Sequence, residues 1–166
     1  MTRLGGTGHP DRPATHVPDA EPPTLIVGVH LVLIDENVVL LGRRRNTSYA
    51  NGLWHVPAGH MQPGETVTRS MTREAEEELG ILIAEDDLTL VHTLHHLDAD
   101  DGRSRLQLFF RPARYGGLVR NAEPHKCAEL RWWPLDRLPD DIVPYTAHAL
   151  GELTRGKALS TVGWPA

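Results

Sequence analysis

Three glutamates, Glu74, Glu77 and Glu78, crowd into a segment that reads as a helix from Val67 to Leu79. At about 100° per residue, Val67, Met71, Ala75 and Leu79 fall within about 120° of arc and form an apolar stripe. Glu74 and Glu78 lie inside or beside that stripe and Glu77 next to them, whereas Arg69 and Glu76 point the opposite way. A surface helix ordinarily turns its acids away from its apolar face; this one aims two of them inward. Carboxylates buried together are strongly disfavoured unless cations compensate. Arg73, placed one turn before Glu77, can partner one of them. The charge left over calls for a hard divalent cation, and an all-oxygen site suits Mg²⁺ or Mn²⁺. On the wheel alone, an ordinary charged helix with a solvated run from Glu74 to Glu78 accounts for the pattern equally well.

The elements that must hold this helix are legible on either side of it. Gln62-Pro63-Gly64-Glu65 is a turn, with Pro preset for the first corner and Gly free to take positive φ at the second. Thr66 is the expected N-cap, without a capping-box partner because Arg69 stands where an acid would, and Gly80 is the expected stop. Upstream, the apolar and β-branched run from Thr24 to Ile34 predicts a strand. Asp35, Glu36 and Asn37 make a turn, and Val38 to Arg45 resumes as its hairpin partner. Residues 46–52 have loop composition, and Leu53 to Val56 form a short strand stopped by Pro57. Downstream, Leu88 to Asp98 and Arg103 to Tyr115 predict a hairpin turning through Ala99-Asp100-Asp101-Gly102. Glu129 to Leu135 is one more strand, and Tyr145 to Arg155 a closing helix stopped at Gly156. Strands of this kind with two helices predict an α+β domain layered as an α/β/α sandwich. Residues 1–23, rich in Pro and Gly and lacking apolar periodicity, read as a flexible N-terminal arm, leaving 24–166 as the domain.

Composition narrows the classes. Lys and Arg number 17 against 22 Asp and Glu, a net charge of −5. That balance argues against a nucleic-acid polymer partner, which basic side chains would have to neutralise. No apolar run is long enough to span a bilayer and no signal peptide opens the chain, so a soluble cytoplasmic protein without a membrane partner is expected. Cys127, the only cysteine, excludes an intrachain disulfide and multi-cysteine zinc sites. It reads as an inert, small apolar residue.

Residues 59–81 match the Nudix box, G-x5-E-x7-R-E-U-x-E-E-x-G-U with U apolar, at every specified position. Gly59, Glu65, Arg73, Glu74, Glu77, Glu78 and Gly80 fill the fixed places, and Ala75 and Ile81 the apolar ones. Fixed residues at roughly one in fifteen each make a chance match rarer than about 10⁻⁷ per starting position. The segment therefore resembles the Nudix hydrolases (MutT-like), and the likeness extends over the strands from about Thr24 to Gly156. The resemblance implies a Nudix fold, a mixed sheet with the box helix packed on it and a C-terminal helix. It also implies hydrolysis of a nucleoside diphosphate derivative or nucleoside triphosphate, with water attacking phosphorus. Glu74, Glu77 and Glu78 carry over as metal ligands for Mg²⁺ or Mn²⁺, assisted by a main-chain carbonyl near Ala58 or Gly59. Glu65 and Arg73 carry over as residues that hold the loop and orient the glutamates. A small nucleotide or nucleotide-linked diphosphate is the implied partner. Family members are often dimers, so a homodimer is compatible, although no stripe in the sequence marks an interface.

Candidates outside the box have weaker signals. Arg43, Arg44 and Arg45 end a strand just before the metal motif, where guanidinium forks suit phosphate oxygens. Alternation admits only one or two of them to an inner face, and Arg43 or Arg45 is the expected phosphate contact. Tyr49, Trp54 and Phe109 could stack on a base, with core packing the simpler reading for each. Of the adjacent Trp132 and Trp133, one faces in and one out. His92 and His96 share a strand face that His95 does not, which argues against a three-histidine zinc site. Partly exposed histidines are expected there, one of them a candidate substrate contact. Glu123 lies in the polar loop from Asn121 to Lys126, where some members of the resembling family carry a further carboxylate or the general base, so it joins Glu74, Glu77, Glu78 and Arg73 as a catalytic candidate. Two alternatives stand beside a hydrolase. A non-catalytic nucleotide-binding or regulatory Nudix module would ordinarily have lost box glutamates, all of which are kept. An isoprenoid diphosphate isomerase uses a reactive cysteine in another context.

Overall fold

The computed structural model describes residues 23–165. The expected arm, residues 1–23, lies outside them apart from Pro23. Among the described residues two sheets and two α-helices make up an α+β fold. The larger sheet runs β5-β1-β7-β6-β9, with β1 Ile26–Leu31, β5 Ala58–His60, β6 Leu88–Leu97, β7 Ser104–Pro112 and β9 Leu159–Val162. It is mixed: β1 is parallel to β7 and β6 to β9, while β1–β5 and β6–β7 are antiparallel. The smaller sheet is centred on β3 (Val38–Arg44), flanked by β8 (Cys127–Pro134) on one side and by β2 (Ile34–Asp35) and β4 (Trp54–His55) on the other.

The expected hairpin from Thr24 to Arg45 is therefore cut short. Only Ile34 and Asp35 pair with β3 across the turn at Glu36 and Asn37, and β1 belongs to the other sheet. The apolar run conceals this switch because Val32 and Leu33, between the two strands, are buried as fully as the strands themselves. Two short strands, β5 and β9, carry no apolar alternation and were not expected; the strands they pair with create them.

α1 (Val67–Leu79) and α2 (Pro144–Thr154) pack over separate cores. Met71, Ala75 and Leu79 of α1 meet Val29, Leu31, Leu108 and Phe110, whereas Ala149 and Leu150 of α2 meet Val32, Leu94 and Phe109. Since successive strand residues point to opposite faces, this division of β1 and β7 puts the helices on opposite sides of the larger sheet. Each fully buried Leu or Met contributes about 2 kcal/mol through removal from water, enough to register α1 firmly on β1 and β5. The helix begins and ends as expected: the Thr66 hydroxyl accepts from Arg69 N at 3.1 Å, and Gly80 takes φ 66° while its N–H donates to Glu76 O. Trp54 and Phe109 are core residues, and Trp133 packs inward while Trp132 is exposed. Among the described residues no helix is long and apolar enough to cross a membrane.

Candidate active site

β5 runs beneath α1, and the box residues meet there. Gly59 has no side chain because the Glu74 carboxylate fills the space where a Cβ would stand. One residue earlier, Ala58 N–H donates to Glu78 Oε2 at 2.9 Å. Both carboxylates are thus held against an edge strand, and a larger residue at position 59 would displace that of Glu74. Burial first, and then the Glu74 carboxylate beside it, push the Glu78 carboxyl up to about 8, against the pull of the Ala58 N–H.

Arg73 ties the rest of the box together. Its guanidinium donates to both oxygens of Glu65, at 2.9 and 3.2 Å, and also to Glu74 at 2.7 Å and Glu77 at 3.2 Å. Glu65 in turn accepts from Gln62 N–H, closing the turn before the helix. These Arg73 and Gln62 hydrogen bonds hold the Glu65 carboxyl down to about 2. Glu74 and Glu77 both face Arg73, and among the described residues no three His, Cys, Asp or Glu side chains converge on one point.

A loop delivers Glu123. Arg120 N–H donates to Leu79 O and Ala122 N–H to Glu78 O, both at 3.0 Å, so the segment docks on the C-terminal carbonyls of α1. Glu123 then lines the same cavity as Glu74 and Glu78 and pairs with Lys126 at 2.8 Å. The cavity has a volume of about 500 Å³ and also takes in Arg43, Arg44, Cys127 and Leu130, a size ordinary for a small-molecule site.

The three arginines depart from strict alternation. The β3–β8 register shifts between Arg43 and Arg44, where Cys127 and Glu129 face successive β3 residues with Ala128 left over. A bulge of this kind re-aims side chains. Arg43 and Arg44 both line the cavity, and Arg45, one of the expected phosphate contacts, does not. Arg44 was not singled out in the sequence, because a bulge leaves no local signal. Its Nε donates to Tyr49 O at 3.1 Å, and its guanidinium carbon stands 6.0 Å from the Tyr49 ring centroid.

Beyond β5 the cleft continues into a second compartment of about 490 Å³, sharing Arg44, His55, Ala58, Gly59 and His60 with the first. Tyr49 stands on its rim and His96 on its wall. Inside, the Tyr145 hydroxyl lies 2.7 Å from His55 Nε2 and 3.4 Å from His30 Nε2. Burial is the main reason that His55 is lowered to about 3 and His30 well below its usual value. Neither histidine was a candidate in the sequence, since nothing local brings residues 30, 55 and 145 together. His92, expected to be partly exposed, is fully buried. Its Nδ1–H donates to Lys157 O at 2.8 Å, and Nε2 accepts from Ser160 at 2.9 Å. The residues at and before β9 supply both partners, and the sequence had not revealed that strand.

The fold agrees with that of known proteins. The NUDIX domain model matches residues 24–153. A MutT NUDIX hydrolase from Burkholderia pseudomallei superposes with a TM-score of 0.69 at 31% identity, covering 79% of this chain and 98% of that one. The chain belongs to the Nudix hydrolase family, MutT-like. Among curated relatives, human 8-oxo-dGDP phosphatase NUDT18 is 27% identical over 87% of this chain and 45% of its own length. The low-salt glycan biosynthesis protein Agl8 of Haloferax volcanii is 38% identical over 55% of this chain and 60% of its own. The chain thus spans about half the length of these two relatives.

Proposed function

We propose that the chain is a Mg²⁺- or Mn²⁺-dependent pyrophosphohydrolase that cleaves the diphosphate linkage of a nucleoside diphosphate derivative or nucleoside triphosphate by attack of water on phosphorus. The observation that carries this reading is the seating of Glu74 and Glu78 against Gly59 and Ala58, at the wall of a cavity that also holds Arg43, Arg44 and Lys126. Paired acids in one half-buried cleft, with Glu123 close by, are an excess of hard oxygen donors that suits a divalent cation. Glu74, Glu77, Glu78 and the Ala58 carbonyl would hold it. When bound, the ion would supply neutralisation of the diphosphate and a water of lowered pKa.

The chain's own residues do the rest. Arg73 sets the rotamers of Glu74 and Glu77 from one guanidinium and fixes the preceding turn through Glu65. Arg43, Arg44 and Lys126 would bind phosphate oxygens, Arg44 with its Nε already anchored on Tyr49 O. Glu123 faces the cavity with a carboxylate able to take the proton of the attacking water. The net charge of −5 favours a small phosphate over a polymer, because a polymer track needs many cations. The names of the relatives point to different chemistries, an oxidised deoxyguanosine diphosphate and a glycan, so oxidised nucleotides are one option among several.

The test is release of phosphate, pyrophosphate or nucleoside monophosphate from a panel of nucleoside di- and triphosphates and nucleotide sugars, with either metal, read by product identity. Metal-dependent turnover of at least one substrate is expected. Binding without turnover across the panel would replace the hydrolase with a regulatory module.

A further inference from the structure

The two compartments of the cleft differ in chemistry, and the difference orients a substrate. The α1 side contains three cations, Arg43, Arg44 and Lys126, against Glu74, Glu78 and Glu123. A divalent ion there would turn it electropositive. The other compartment has Asp98, Asp100 and Asp101 on its rim with Arg105 between them, paired to Asp98 at 2.9 Å and to Asp101 at 2.5 Å. Three carboxylates against Arg105 and the shared Arg44 still oppose a second phosphate group. The lining behind that rim is planar and neutral in kind, with His30, His55, Tyr145 and the carboxamide of Gln107.

Gln107 is the distinctive group. It is only 5% exposed and lines this compartment, and its carboxamide makes no hydrogen bond to a described residue while its polar atoms stay open to the cleft. A carboxamide that faces a cavity with no protein partner keeps its donor and acceptor free for a ligand. Its position is built rather than accidental. Gln107 pairs with Gly28 across the parallel β1–β7 ladder, and its Oε1 occupies the space that a Cβ on residue 28 would need. Gly28 is thus the gap through which the carboxamide reaches the cleft. A glycine in the middle of a strand otherwise weakens it.

We infer that Gln107, seated over Gly28, is the specificity-determining residue for a neutral nucleobase bound in the second compartment, with the phosphates on the α1 side. A carboxamide offers one donor and one acceptor side by side and is matched by a base edge that presents the complementary pair. A second phosphoryl group meets the acidic rim instead. This deepens the hydrolase reading by naming the organic half of the substrate, and it rests on that reading only for the reaction.

The experiment separates the two. The side-chain amide of Gln107 in the ¹⁵N-labelled full-length chain, assigned by its loss in Gln107→Met, is followed during titration with nucleoside monophosphates and with ribose 5-phosphate. At least one nucleoside monophosphate is expected to shift it saturably and ribose 5-phosphate to leave it in place. Gln107→Met and Gly28→Ala should each weaken that nucleotide at least fivefold while leaving the thermal unfolding transition cooperative. Gln107→Glu, which replaces the donor with a charge, should weaken it further or change the preferred base. An unmoved Gln107 amide with every base, or an equal shift with ribose 5-phosphate, overturns the inference. Base-dependent binding without hydrolysis of any substrate would uphold it and sink the hydrolase reading instead.

Discussion

Gly59 and the carboxylate of Glu74 compete for one volume: a Cβ on the strand residue would overlap the acid of the helix residue. The absence of a side chain on β5 is therefore a condition for the geometry of α1, although Gly59 is not among the glycines with positive φ. Gly59→Ala should displace Glu74 while costing little stability, since the displaced atoms are the far end of a flexible side chain. A fall in kcat of about a hundredfold or more is expected with a near-native melting temperature. Wild-type kcat in the alanine variant would remove the role assigned to this contact.

Glu78 is half-buried beside Glu74, and its raised carboxyl ties stability to pH in the metal-free protein. With the folded pKa near 8 and an unfolded value near 4.5, the contribution is fully present below pH 4.5 and is lost as pH rises through 8. Glu78→Gln should therefore abolish most of the turnover yet raise the melting temperature of the metal-free protein above pH 8. Differential scanning calorimetry with and without chelator checks the sign. A variant that melts lower than wild type in chelator would contradict it.

Arg73 serves Glu65, Glu74 and Glu77 from one guanidinium. A lysine cannot reproduce the two-pronged contact with Glu65. Arg73→Lys should lower kcat about tenfold to a hundredfold, less than Glu78→Gln, and increase protease nicking around Pro63. If Arg73→Lys kept full activity, the forked geometry would not matter.

His55 makes stability depend on pH in the other direction. Unfolded, it titrates near 6.5; folded, burial keeps it neutral down to about 3. The folded state is favoured in full above pH 6.5 and loses about 1.4 kcal/mol per pH unit for this group as pH falls below that. His30, shifted the same way, adds to the slope, whereas Glu65 titrates far lower. Urea unfolding between about pH 7 and pH 5 should show a shallower slope in His55→Gln. Parallel slopes for the two proteins would mean that His55 is not held neutral.

The box and its helix were legible because their determinants are local. A Thr cap, an i, i+4 apolar stripe and a glycine stop specify Val67–Leu79 without reference to the rest of the chain, and the spacing of the glutamates follows from the helix period. The hairpin of β6 and β7 and the closing helix were legible for the same reason.

Other features depend on partners distant in sequence. Arg44 rather than Arg45 reaches the cleft because a bulge on β8 breaks the alternation that the sequence implies. β5 and β9 are strands only because β1 and β6 offer them edges. Gln107 acquires meaning only opposite Gly28, and Tyr145 only beside His30 and His55. By itself the sequence determined the box helix and the face on which Glu74 and Glu78 lie, because a helix encodes its face in its own periodicity. Tertiary structure alone decided which cations and which neutral groups line the cleft, because strand register and sheet switching are set by pairings that no local pattern records.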